Sequence, residues 1–231
     1  MCDANSYRIT STYKMKLTGD LKALETSINI YRDALRILIP IINDNWETLS
    51  EYEFTNQKYN RIEKWIHNTK NNQALHNFDE QFPKFPTYLR RSAVATALGI
   101  VSSYRSNLAN WEKEPKGQAP QLSLTHYTYP AYYKGNLFRN FDPIRQTIEL
   151  KVFKNGDWVY EVYRLKTSDC SYYLTHLTGK KQNVPVIQKK GRRFYAAFSY
   201  EEEVSLVKEE SISKICAVDL GLNTDATCTI M

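Results

Sequence analysis

The stretch that decides the reading is ICAVDLGLNTDATCTIM, Ile215 to Met231. Ile215 to Leu220 is a short apolar run of the kind that makes a fully buried strand, and Asp219 sits inside it. A carboxylate is costly to bury without a cation or several hydrogen-bond donors, so this acid calls for a partner. Gly221 and Asn223 supply turn chemistry, and Ala226 to Met231 has the composition of a returning strand. A strand with an acid, a glycine turn and a second strand make a hairpin organised around one carboxylate.

Far upstream, Ser6 to Leu17 (SYRITSTYKMKL) alternates apolar and polar residues and reads as a strand. Thr18-Gly19-Asp20 ends it and can cap a helix. Leu21, Leu24, Ile28, Tyr31, Leu35, Leu38 and Ile42 then recur at spacings of three and four, which is one packing stripe on a long helix. Pro40 is expected to bend or end that helix near its last turn. A weaker helical segment covers Asn56 to Asn68, with Tyr59, Ile62, Trp65 and Ile66 inward, and a polar connector with two Phe-Pro steps runs to Phe85. Pro86 opens a second strong helix, with Leu89, Ala93, Ala97, Ile100, Tyr104, Leu108 and Trp111 along one face.

Lys113 to Ala119 (KEPKGQA) is a linker, and after it the apolar period changes to two. Strands are expected at Gln121–Tyr129, Gly135–Phe141, Thr147–Lys154, Asp157–Leu165, Val184–Gln188 and Arg192–Tyr200. Asn155-Gly156 is a strong hairpin signal, and Lys189-Lys190-Gly191 separates the last pair. The first strand has no neighbour to pair with, because a helical block of roughly a hundred residues follows it. It most simply pairs with the later strands. The expected fold is therefore α+β: a β-barrel with a helical block inserted after its first strand, followed by the hairpin that carries Asp219. In segments, 1–18 is the first barrel strand, 19–117 the helical lobe, 118–212 the rest of the barrel, and 213–231 the start of a further domain.

Composition restricts the partners. With 42% hydrophobic and 24% charged residues the chain has an ordinary globular balance. Its longest apolar stretches, Ile37–Ile42 and Ala93–Val101, fall short of a membrane span, and no apolar leader opens the chain. A cytoplasmic protein without a membrane partner is expected. Cys2, Cys170, Cys216 and Cys228 show no CxxC spacing and do not cluster with His67, His76, His126 or His176, so reduced thiols and no zinc are expected.

The net charge of +6 is unevenly placed. Residues 121–200 hold thirteen Lys/Arg against five Asp/Glu, a balance of +8, while the remainder stands at −2. The same segment contains ten of the seventeen tyrosines. A basic stretch interleaved with aromatics suits a partner with phosphates and exposed base faces; tyrosines filling strands and lysines guarding sheet edges account for the same composition. Lys180, Lys181, Lys189, Lys190, Arg192 and Arg193 are the candidates for phosphate contacts. Tyr195 is either a base-stacking ring or a core residue. On the second strong helix, Arg90, Arg91 and Arg105 either face a polyanion or line a solvated surface. Glu201, Glu202 and Glu203 read as a solvated acidic edge.

Three stretches resemble one family. PTYLRRSAVATALGIVSSYRSNLANWEK, Pro86 to Lys113, is similar to a helix of the transposon-associated OrfB/TnpB proteins. KGRRFYAAFSYEEEV, Lys190 to Val204, resembles the strand before that family's nuclease core, and ICAVDLGLNTDAT resembles its first RuvC motif. A sugar-kinase or actin-like phosphate loop shares the strand, acid and glycine, but not the two stretches ahead of them.

The resemblance implies an RNA-guided DNA nuclease whose recognition lobe is inserted in a wedge-like (OB-like) barrel ahead of an RNase-H-like RuvC domain. The partners it implies are a guide-type RNA and target DNA. It makes Asp219 the catalytic metal ligand, for Mg²⁺ in a complete member. That member also carries a later Glu and Asp and commonly a zinc ribbon, which these 231 residues do not contain. The expectation is thus an N-terminal portion that binds nucleic acid, is catalytically incomplete and holds Mg²⁺ weakly, or a stand-alone binding remnant.

Overall fold

The computed structural model describes residues 6–124 and 128–205, together with the backbone of two short strands at 216–219 and 227–230. Strand β1 (Ser6–Thr18) buries Met15 and Leu17 and turns Lys14 outward, so one face meets the core. Gly19, at φ +112°, provides the left-handed turn that a side chain would resist, and the Asp20 carboxylate accepts from the Lys22 amide. Helix α1 (Lys22–Asp44) follows, with Leu24, Ile28, Tyr31, Leu35, Leu38 and Ile42 buried along the expected stripe. It continues through Pro40, which sits on the exposed side one turn from its end, so the proline does not terminate it.

A short α2 (Trp46–Ser50) leads to α3 (Thr55–Ile66), which buries Ile62, Trp65 and Ile66. The connector after it is not featureless. It contains α4 (Phe78–Gln81), and Phe78 packs on Phe82 and Phe85 with ring centroids 4.8 and 5.6 Å away. Helix α5 (Thr87–Lys113) lies against α1, where Ala93 and Ala97 keep the contact close and the Tyr31 hydroxyl donates to Thr96 Oγ1 at 2.9 Å.

The remaining elements are β2 (Phe138–Asp142), β3 (Thr147–Lys154), β4 (Asp157–Leu165), α6 (Thr167–His176), β5 (Lys181–Gln182), β6 (Val186–Lys190) and β7 (Arg193–Ser205). The sheet runs β2-β3-β4-β1-β7-β5, with β6 also paired to β7. Strand β1 therefore lies between β4 and β7, and the helices interrupt the sheet in sequence but not in space. Strands β3 and β4 pair in unbroken register from Thr147↔Arg164 to Lys154↔Asp157. Asn155 and Gly156 close them at φ 53° and 82°, the doubly positive turn that Asn-Gly favours.

The sheet is an antiparallel, curled half-barrel. Its far ends are tied by the segment 130–134: Tyr132 N donates to the Pro185 carbonyl at 2.8 Å, Ile187 N donates to the Pro130 carbonyl at 3.1 Å, and Lys134 bridges Phe138. Ile148, Leu150, Tyr163, Phe198 and the fully buried Tyr132 fill the interior, and burial pushes the Tyr132 phenol well above its ordinary pKa. Helix α6 closes one side. Its Cys170, Tyr173 and Leu177 face inward at spacings of three and four, Tyr173 meets Phe141 at 5.2 Å, and Asp169 Oδ2 accepts from the Lys16 amide at 2.8 Å.

One expected strand is corrected by the structure, and one helix is added. Gln121–Tyr129 is not a strand in its described residues, 121–124 and 128–129. Tyr129 is held instead by side-chain contacts, its hydroxyl on the Lys189 carbonyl and its ring beneath the Arg32 guanidinium at 4.9 Å. Residues 125–127 lie outside the described part. Helix α6 was not expected at all, because its ten residues carry only a short inward triplet and no cap motif.

Residues 12–200 form one compact unit. Phe85 meets Trp158 at 5.7 Å and Phe153 N donates to Ser27 Oγ at 2.7 Å, giving helices and sheet a common core. The second unit comprises residues 1–11 and 201–231. In it Arg8 pairs with Glu201 at 3.6 Å and Glu203 at 3.7 Å. Strand β8 (Cys216–Asp219) pairs antiparallel with β9 (Thr227–Ile230), setting Asp219 opposite Thr227.

Candidate nucleic-acid interface

The other face of β3 carries Thr147, Glu149, Lys151 and Phe153, all half-buried. The register sets Lys151 beside Tyr160 and Glu149 beside Arg139 of β2. Arg139 Nε reaches Glu149 Oε2 at 2.6 Å, and Asn140 donates to its other oxygen at 2.7 Å. The Asn140 amide and then the Arg139 guanidinium hold the Glu149 carboxyl below the usual carboxylate range. Fixed in this way, the guanidinium lies 3.9 Å from the centre of the Tyr160 ring, while Lys151 Nζ lies 5.4 Å from it. The Tyr160 hydroxyl donates to the carbonyls of Gly135 and Asn136 at 3.1 and 2.9 Å, which pins the ring. The result is an aromatic ring attended by two cations.

Beside it opens a cleft of about 460 Å³ lined by Lys84, Phe85, Pro86, Thr87, Tyr88, Asn136 and Lys151. It lies where α5 begins. Pro86 occupies the cap position without a side-chain hydrogen bond, so no acceptor side chain offsets the positive end of this 27-residue helix. Tyr88 leans on Tyr133 at 5.5 Å and carries the exposed Arg91 over its ring at 5.0 Å. Lys84 reaches Asp157 at 3.3 Å, and the Trp158 amide and then Lys84 hold that carboxyl below its ordinary range. Cations beside pinned aromatic faces suit a phosphodiester strand with accessible bases.

The β6–β7 hairpin is the second cationic place. Lys190, Arg192 and Arg193 are exposed around Gly191, whose φ of 58° makes the turn. Lys189 is committed elsewhere: it pairs with Glu25 of α1 and lies over the Phe194 ring. Tyr195 is half-buried on β7 opposite Gln188. Lys181 is exposed on β5, and Lys180 just before it is half-buried.

The three helix arginines part company. Arg91 is exposed, over the Tyr88 ring. Arg90 is not: its side chain is 5% exposed, with Nε 3.3 Å from both oxygens of Glu63 and Nη1 3.8 Å from Asp79. His67 Nδ1 lies 2.7 Å from Asp79, and the Tyr59 hydroxyl donates to Glu63 at 3.0 Å. Burial, and then Glu63, push the Tyr59 phenol far above its normal pKa. Arg90 is therefore a ligand of the protein interior, which corrects its placement on a polyanion surface. Arg105 donates from Nη2 to the Asn43 carbonyl at 2.7 Å, on the last turn of α1, where a cation meets the negative end of the helix.

Arg139, Lys151, Tyr160 and Tyr88 were not singled out from the sequence. Counting back from Asn155-Gly156 does bring Lys151 opposite Tyr160, so that signal was available.

Asp219 is the last residue of β8, and its carboxylate lies outside the described side chains, as does the turn at Gly221 and Asn223. Among the described residues no three His, Cys, Asp or Glu side chains gather as an ion cage. The described side chains thus do not make up a two-metal centre. Cys170 is buried and its thiol is pushed up by that burial; Cys2 lies outside the described residues.

Among the described residues no helix is long and apolar enough to cross a membrane. Comparison with curated proteins returned no match. Residues 9–154 match a protein family, a span that runs from β1 through the whole helical region to the end of β3 and covers more than half the chain. By that match the chain belongs to the Aq_aa04 family.

Proposed function

We propose that this chain binds nucleic acid in the manner of the N-terminal part of a transposon-encoded, RNA-guided DNA nuclease, the OrfB/TnpB type. In this reading the wedge-like barrel and the helical recognition lobe hold a guide-type RNA, and target DNA is met through that RNA. The observation that carries the proposal is the Tyr160 ring with the Arg139 and Lys151 cations near it, set beside the cleft at the start of α5. The exposed cations of the β6–β7 turn extend the positive surface. Phosphates supply the affinity of such a surface, and unpaired bases supply faces for its rings.

Asp219 belongs to this reading as a Mg²⁺ ligand of the RuvC type. One carboxylate holds Mg²⁺ weakly, because that ion demands a well-formed octahedral shell, and two-ion chemistry needs several acids. Binding without cutting is therefore the activity proposed for this polypeptide, in the cytoplasm. The test incubates the purified chain with structured RNA and, separately, with DNA and Mg²⁺. Retention of RNA that is released by salt, with the DNA left intact, supports the reading. Failure to retain RNA at low salt overturns the binding role, and Mg²⁺-dependent cleavage abolished by Asp219→Ala overturns the incomplete-site role.

A further inference from the structure

On the outer side of α6, away from the inward Cys170, Tyr173 and Leu177, three rings stand in a row. Tyr13 of β1 stacks on Tyr172 with centroids 4.7 Å apart and planes 21° apart. Tyr172 stacks in turn on His176 at 4.3 Å and 14°. Tyr172 and His176 are one helical turn apart, so α6 itself sets their spacing. The row is not buried: Tyr172 is 44% exposed, and His176 is exposed as well. Among the described residues no ring covers the remaining face of His176.

The imidazole is held in place. Its Nδ1 lies 3.1 Å from the Tyr172 carbonyl and 2.5 Å from Thr175 Oγ1, so the plane does not spin freely. Asp169 at the other end of α6 ties the helix to β1 through the Lys16 amide, which keeps Tyr13 and Tyr172 in register. Leaving large rings in water has no packing benefit, and one more planar ring would extend the row at van der Waals distance. An unpaired base of the phosphodiester strand proposed above is such a planar ring.

We infer that the Tyr13–Tyr172–His176 row is a stacking seat for an unpaired base of single-stranded RNA, with the base lying on the face of the exposed His176 ring away from Tyr172. This rests on the nucleic-acid reading above and locates a contact that the reading does not require. Bases inside a duplex are covered on both faces by their neighbours, so the seat favours single strands. Base–aromatic stacking of this kind tolerates any base and changes affinity by about tenfold per contact.

The test uses the full chain and two RNAs of equal length, one unstructured and one fully paired, with 2-aminopurine at successive positions of the unstructured strand. Binding is read by anisotropy and stacking by quenching of the 2-aminopurine. The variants are His176→Ala, which removes the terminal ring, and His176→Phe, which keeps it; Tyr172→Ala is a second truncation, controlled by its melting temperature. The expected result is position-dependent quenching by the wild type, lost in His176→Ala with about a tenfold weaker grip on the single strand, restored in His176→Phe, and unchanged duplex binding.

Single-strand binding and quenching unaffected by His176→Ala overturn the seat while leaving the RNA-binding reading in place. Equal losses on single strand and duplex also overturn it, since they report charge or folding rather than stacking. Quenching with DNA of the same sequence but not RNA overturns the choice of RNA as occupant. If neither RNA is bound, the broader reading falls together with the seat.

Discussion

Reversing both exposed arginines of the β6–β7 turn, with Arg192→Glu and Arg193→Glu in one chain, is expected to weaken RNA binding by about 10- to 100-fold near 100 mM salt. The two side chains follow Gly191 and are exposed, with Arg192 in the turn itself and Arg193 at the first position of β7. Their replacement removes two cations and adds two anions where the backbone of a polyanion would run. The dependence of log affinity on log salt should become shallower by about two, one for each lost phosphate contact. The melting temperature should stay where it was. Anisotropy titrations at several salt concentrations check this; an unchanged salt slope in the double variant would place the RNA elsewhere.

Replacing Arg90 with alanine is expected to act on stability instead. The guanidinium is enclosed and answers two carboxylates, Glu63 and Asp79, whose side chains are 19% and 29% exposed. Removing one partner of a buried pair typically costs about 3–5 kcal/mol, since the remaining charge is left without compensation. Glu63 and Asp79 keep some water, so a loss of about 2–4 kcal/mol is the expectation for Arg90→Ala in urea unfolding. Glu63→Gln on the same background should restore part of it by relieving one carboxylate. A loss below about 0.5 kcal/mol, within the range of an ordinary surface substitution, would mean that the network does not hold α3 and α5 together.

Much of this fold is legible in local pattern. The α1 stripe, the α5 face and the β3–β4 hairpin all follow from spacing and from one Asn-Gly pair, because each is decided by residues close in sequence. The position of β1 in the sheet follows from topology, since an isolated strand must find a partner. What local pattern missed depends on distant contacts. Gln121–Tyr129 has strand-like composition, but Tyr129 is held by Arg32 and Lys189 rather than by a ladder. Helix α6 exists because the curled sheet leaves Phe141 and Tyr200 needing a cover, which Tyr173 provides.

The surface divides in the same way. Arg192, Arg193 and Lys190 lie where a turn puts them, in the open. Arg90 and Arg91 are adjacent in sequence, yet a rotation of about 100° per residue sends one inward to Glu63 and the other outward over Tyr88. Glu63 and Asp79 come from other elements, so nothing near Arg90 in the sequence marks its burial. Lys189 looks like its neighbour Lys190, but strand alternation turns it toward Glu25 of α1. Charge counted along a chain is therefore a poor guide to charge available on a surface until the partners are known.

The measurement that bears most directly on the polyanion-binding surface is the salt dependence of RNA binding by the wild-type chain. Arg91, Arg139, Lys151, Lys190, Arg192 and Arg193 acting on phosphates predict a steep fall in affinity, of about 10³-fold or more between roughly 50 and 200 mM salt. An affinity that is flat across that range, or no binding at its lower end, would contradict it.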